Sequence, residues 1–161
     1  MGCCSQTLGS GSARYIVIMD KISNFKLDPK LNSDCFVLGQ LKTSHLLLLN
    51  NALVPWFILV PDTTATELYE LPHTQQLQLL EEINIISNHL KQNFIIEKLN
   101  VAAIGNIVSQ MHIHIVGRHC DDFCWPNVVW GADGKQPYKE VEVDTIKSQL
   151  VDKLPDIFTR I

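Results

Sequence analysis

Polar and apolar side chains alternate between residues 110 and 116, with Gln110, His112 and His114 in one register and Met111, Ile113 and Ile115 in the other. Strict alternation is the mark of a half-buried strand. On a strand, residues two apart share a face roughly 7 Å from each other, whereas the same spacing on a helix turns them about 200° apart. The stretch therefore predicts a strand with one face built into a core and one face carrying two imidazoles and an amide in a row. On an otherwise apolar strand such a row is unfavourable unless its polar groups meet partners or a ligand.

The rest of the chain must supply that core. With 161 residues, 46% hydrophobic and 19% charged, it suits one globular domain. A net charge of −4 argues against non-specific nucleic-acid binding, which needs clustered Lys and Arg. No apolar run approaches the ~20 residues of a membrane span, and Tyr15-Ile16-Val17-Ile18-Met19 is too short for a signal-peptide core. Five cysteines, an odd number without framework spacing, fit free thiols in a reducing compartment. These features together place the protein in the cytoplasm, with no nucleic acid and no membrane among its expected partners.

Residues 1–24 read as a flexible leader or an added remnant. The N-myristoylation pattern wants Ser or Thr at position six, where Gln6 stands. Asp28-Pro29 marks a turn, and Cys35-Phe36-Val37-Leu38 a short strand closed by Gly39. Leu46-Leu47-Leu48-Leu49 and Trp56-Phe57-Ile58-Leu59-Val60 suggest an antiparallel hairpin. A helical turn is expected around residues 67–71, stopped by Pro72. From Thr74 to about Phe94, Leu77, Leu80, Ile83, Ile86 and Leu90 recur at helical steps, predicting a long amphipathic helix capped by Thr74. Residues 99–104 read as a strand, Gly105-Asn106 as a turn, and residues 143–150 as a terminal helix. Strands on both sides of one long helix indicate an α+β fold, an antiparallel sheet backed by that helix. With the helix over Met111, Ile113 and Ile115, the polar row faces the other side, where a ligand pocket can sit.

Gln110-Met-His112-Ile-His114-Ile-Val resembles the histidine triad (HIT) motif, His-φ-His-φ-His-φ-φ, with Gln in the first position. Phe25-Lys-Leu-Asp28-Pro29, Leu46 to Asn50 followed by Pro55-Trp56-Phe-Ile-Leu-Val-Pro61, Asn100-Val-Ala-Ala-Ile-Gly105-Asn106, and Trp125-Pro126 through Trp130-Gly131 extend the likeness. They resemble a bacterial branch of diadenosine tetraphosphate hydrolase-like proteins. The likeness implies a HIT-like domain over residues 25–131, with residues 132–161 an extension packing on it. It also implies a nucleotidyl hydrolase or transferase, and a homodimer. His112 would attack the α-phosphate and carry the covalent nucleotide, with His114 bonding the phosphate. Asn50, Asn100, Gly105 and Asn106 would lie around the nucleotide. No cofactor is obligate on this reading, although a divalent cation can accompany a polyphosphate substrate. Two departures stand out: Gln110 replaces the first histidine, and Asp62 stands where a basic residue is common.

Chemistry read from the residues points the same way. A neutral imidazole with a pKa near ~6.5 is a competent nucleophile, provided its other nitrogen donates to an acceptor that fixes the tautomer. Gln110 can position but cannot deliver a proton as an imidazolium does. No Walker-type Gly-x-x-x-x-Gly-Lys-Ser/Thr is present, so strand and loop amides must hold phosphate. Arg118 is a candidate phosphate contact, against the plainer reading of an exposed arginine after a strand. Trp125 and Trp130 read as core or interface anchors rather than stacking platforms. Two competing classes stay open: a nucleotide-binding module without turnover, and a metal-binding protein. His-x-His is a ligand spacing, and His119, Cys120, Asp121, Asp122 and Cys124 follow closely.

Overall fold

The computed structural model describes residues 25–161; the expectations for residues 1–24 lie outside them. Six strands form one antiparallel sheet: β1 Cys35–Gln40, β2 Ser44–Leu49, β3 Trp56–Pro61, β4 Lys98–Ala102, β5 Ile113–Arg118 and β6 Thr159–Arg160, in the order β4-β5-β3-β2-β1-β6. Helices α1 Pro29–Asp34, α2 His73–Asn93 and α3 Glu140–Lys153, with a 3-10 turn Leu68–Glu70, complete the domain. This is the α+β arrangement with one long helix on the sheet.

The sheet separates two apolar clusters. On one face Leu46, Leu48, Phe57, Leu59, Met111, Ile113 and Ile115 pack against Leu79, Ile86 and Leu90 of α2 and Val143, Ile146 and Leu150 of α3. The opposite face carries Leu47, Trp56, Ile58, Val60 and Val116 against Leu31 of α1, Val108 and Val129. Because side chains alternate along β3 and β5, the face that buries Ile113 and Ile115 under α2 turns His112 and His114 to the second cluster.

Several local expectations are corrected. α2 starts at His73, with Pro72 at the cap position and no side-chain cap, so Thr74 is inside the helix. Leu77 and Leu80 are each 53% exposed, and the inward stripe is Leu79, Glu82, Ile86, His89 and Leu90. Two polar residues hold places in it: Glu82 Oε1 accepts from Thr43 N at 2.6 Å, and His89 packs edge-on to Phe57. Gly39 does not close β1 but lies inside it, after a bulge at Val37/Gly39. A Cβ there would strike the backbone of Thr159 and the ring of Phe158, so the glycine is what lets β6 pair with β1. β5 begins at Ile113, leaving Gln110 and His112 in the connection that leads into it. Asp28 caps α1 through Lys30 N at 2.8 Å, with Pro29 in the first turn.

Candidate active site

The β3–β5 register sets Ile58 opposite His114 and Trp56 opposite Val116. Trp56 thus stands diagonal to His114 on the same face, within reach for a large side chain. Its indole Nε1 donates to His114 Nδ1 at 2.9 Å. Indole is a donor only, so His114 Nδ1 must carry the lone pair, and the neutral ring bears its proton on Nε2. Burial, and then the neighbouring charge of His112, push the His114 pKa down from 6.5 to about 4. At pH 7 His114 is a neutral N–H donor.

His112 has the opposite tautomer. Its Nδ1 lies 2.7 Å from the carbonyl oxygen of Gln110, and a carbonyl only accepts, so Nδ1 is protonated and, in the neutral ring, the lone pair is on Nε2. The two rings meet edge to face with centroids 4.8 Å apart. One strand register therefore places a free imidazole lone pair beside an imidazole N–H.

Both rings open on a cavity of about 470 Å³. Leu31, Cys35, Ile58, Val108 and Val129 give apolar walls, and Asn51, Gly105 and Asn106 add polar groups. Gly105 has φ +69°, the left-handed region that a β-carbon resists, and so turns the chain where it lines the cavity. Trp130 packs edge-on to Trp56 at 5.5 Å and to His114 at 5.7 Å. Its role as an anchor is thus inside the site. Lys30 and Asp34 are the charged residues among those lining the cavity, and they pair with each other at 3.0 Å. A bound phosphate would meet N–H dipoles here rather than a cluster of cations.

Not every residue singled out from sequence reaches this cavity. His112, His114, Gly105 and Asn106 line it; Gln110, Asn50, Asn100, Arg118 and Asp62 do not. The Gln110 side chain accepts from Asp28 N at 2.8 Å and donates to Lys26 O at 3.0 Å, tying down residues 26–28. Only its backbone carbonyl serves His112. Asn50 Oδ1 accepts from Tyr138 N at 2.9 Å; Asn51, one residue on, lines the cavity, with its Nδ2 donating to Gly134 O and its Oδ1 accepting from Leu53 N and Gln136 N. Arg118 is 2% exposed and so is not a surface arginine. Its guanidinium is held by both carboxylate oxygens of Asp122 (2.6 and 3.0 Å), by Asn100 Oδ1 (2.9 Å) and by Asn127 O (2.9 Å). Asn100 is thereby committed to Arg118. Trp125 is 40% exposed, and the Arg118 guanidinium lies 5.6 Å from its ring. Sequence reasoning missed Trp56, whose signal was an indole N–H on an apolar strand that had to find an acceptor.

Residues 30–121 match the model of the HIT domain. Among solved structures, the chain is similar to a histidine triad protein from Bradyrhizobium japonicum (38% identity, TM-score 0.77), covering 80% of this chain and 97% of that one. A HIT protein from Sinorhizobium meliloti gives 36% identity and TM-score 0.78, over 81% of this chain and 97% of the other. One from Marinobacter aquaeolei gives 38% and 0.78, over 83% and 98%. No curated protein matches the chain.

Proposed function

The chain belongs to the HIT domain family, and from that membership we propose a nucleotidyl hydrolase or transferase of the diadenosine tetraphosphate hydrolase-like branch. Membership itself supports a nucleotide hydrolase or transferase kind of function. In the finer reading, His112 Nε2 attacks the α-phosphorus of a nucleotide or dinucleoside polyphosphate. The new P–N bond forms as the bond to the leaving group breaks, and the leaving group departs with the electron pair. Water then attacks the same phosphorus and releases a proton to solvent, the P–N bond breaks, and His112 recovers its lone pair. His114 donates Nε2–H to a non-bridging oxygen as charge builds there. The observation that carries this reading is the 2.7 Å contact from His112 Nδ1 to the Gln110 carbonyl, which leaves Nε2 free and steadies the cation formed on attack.

Nucleotide labelled at the α-phosphate, quenched during turnover, tests it. Acid-labile, base-resistant label is expected on the parent protein and none on His112→Ala, with turnover lowered by several orders of magnitude. An active His112→Ala would refute the covalent route. If neither protein turns over, the binding-module reading takes its place, a reading favoured by the lack of an unpaired cation among the described cavity residues. No cofactor is required on this reading, and a divalent cation enters only with a polyphosphate. We further propose a homodimer formed at β4, the longer of the two edge strands among the described residues, where Val101 is 47% exposed; sedimentation at two concentrations checks it. Among the described residues no helix is long and apolar enough to cross a membrane, and the cysteine usage supports a cytoplasmic location.

A further inference from the structure

At the far end of β5 from the histidine pair lies a second group of chemically capable side chains. The β4–β5 register ends at Lys98↔Arg118, and Glu97 N donates to Arg118 O at 2.9 Å. The ladder therefore extends one step and brings Glu97 across from the chain as it leaves β5 at His119. Cys120 N then donates to Glu97 Oε2 at 2.9 Å, which turns the thiol-bearing residue toward the carboxylate. One ligand atom each from Glu97, His119 and Cys120 lies within 4.8 Å of the others.

We propose that Glu97, His119 and Cys120 form a Zn²⁺ site with a water in the fourth position, separate from the nucleotide cavity. Thiolate, imidazole and carboxylate are the donors zinc takes in tetrahedral sites, with bonds of about 2.0–2.3 Å. Such bonds set ligand atoms about 3.3–3.8 Å apart, so side chains now within 4.8 Å need move only about 1 Å. Glu97 and Cys120 are exposed and His119 is partly so, which leaves them free to make that adjustment. The turn beneath them is fixed. Arg118 and Asp122, with side chains 2% and 5% exposed, lock its two ends, and Asp122 Oδ2 also accepts from His119 N at 3.3 Å. Asp121 adds negative charge, its Oδ2 3.7 Å from His119 Nδ1. His114 lies within β5 and His119 just past its end, five residues on and about 16 Å away at the rise of a strand, and none of the three ligands lines the cavity.

Full-length protein titrated with Zn²⁺ against a chromogenic chelator is expected to bind one equivalent that Cys120→Ser weakens at least tenfold. Co²⁺ in place of zinc should show thiolate charge transfer in the near ultraviolet. That band should vanish in Cys120→Ser and persist in a Cys3→Ser/Cys4→Ser variant. Zn²⁺ should raise the melting temperature of the parent and not of His119→Ala, since a ligand that binds only the folded state stabilises it. A band that survives Cys120→Ser or depends on Cys3 and Cys4 overturns the site, as does the absence of stoichiometric binding.

Discussion

Trp56→Phe keeps an aromatic ring on β3 and removes one hydrogen-bond donor, so it isolates what the 2.9 Å bond to His114 Nδ1 contributes. In the parent, that bond forces the Nε2–H tautomer, and burial holds the pKa near 4, so about one ring in a thousand is protonated at pH 7. Without the indole N–H, a buried acceptor is left unpaired, at a cost of about 1–3 kcal/mol. The ring can escape that cost by moving its proton to Nδ1, which leaves the Nε2 lone pair where the proposed phosphate would sit and forfeits the donor. A donor to a developing oxyanion contributes about 10²–10³ in rate; His114 still visits the competent tautomer, so the expected loss in kcat/KM is about 10- to 100-fold. Most of it should fall on kcat, because the donor strengthens as charge builds. The acid limb of the pH profile should also move upward, since nothing then occupies the lone pair that a proton would take. The assay is hydrolysis of a nucleoside 5′-monophosphate ester of a chromogenic phenol across pH, with ¹⁵N NMR of His114 reporting the tautomer. A variant within threefold of the parent whose His114 has visibly lost the Nε2–H tautomer would show that the donor role assigned to His114 is wrong.

The fold was legible where periodicity was strong. Alternation over residues 110–116 predicted both the strand and the side of the sheet on which His112 and His114 lie, because a period of two leaves no other choice once Ile113 and Ile115 are buried. The stripe on α2 was misplaced because Glu82 and His89 are buried for partners that no local pattern reveals: a backbone amide at Thr43 and the ring of Phe57. Arg118 was misread for the same reason. An arginine after a strand is ordinarily solvated, and only the return of the chain through Asp122 and Asn127 encloses it. Within the site, the need of His112, as the proposed nucleophile, for an acceptor at its other nitrogen was foreseeable from imidazole chemistry. Gln110 supplies it from the main chain only two residues away, whereas the bracing of residues 26–28 by its side chain depends on contacts 82 and 84 residues distant in sequence.

Asp122→Ala should destabilise the fold by about 3–5 kcal/mol in urea unfolding, since it leaves the Arg118 guanidinium buried without its carboxylate; a change under 1 kcal/mol would mean the pair is solvated. Stability should also fall as pH drops from 6.5 to 4. His114 titrates near 4 folded and near ~6.5 unfolded, so in that window the unfolded chain holds the extra proton. The contribution, up to about 3 kcal/mol, is complete above the unfolded pKa and lost by the folded one, and His114→Gln should flatten that part of the curve. The remaining case is Gln110, where side chain and backbone do different work. Its amide accepts from Asp28 N and donates to Lys26 O, so Gln110→Ala should loosen residues 26–28 and lower stability by about 1–3 kcal/mol. The carbonyl that fixes His112 belongs to the main chain and survives any substitution. Gln110→His and Gln110→Ala are therefore both expected to change kcat by less than tenfold, with the labelled His112 adduct still formed and no new ionisation in the alanine variant's pH profile. A loss beyond a thousandfold in a folded Gln110→Ala protein would place the amide on the substrate and overturn the separation of roles; an intact kcat with a lowered melting temperature is what the two side-chain bonds require.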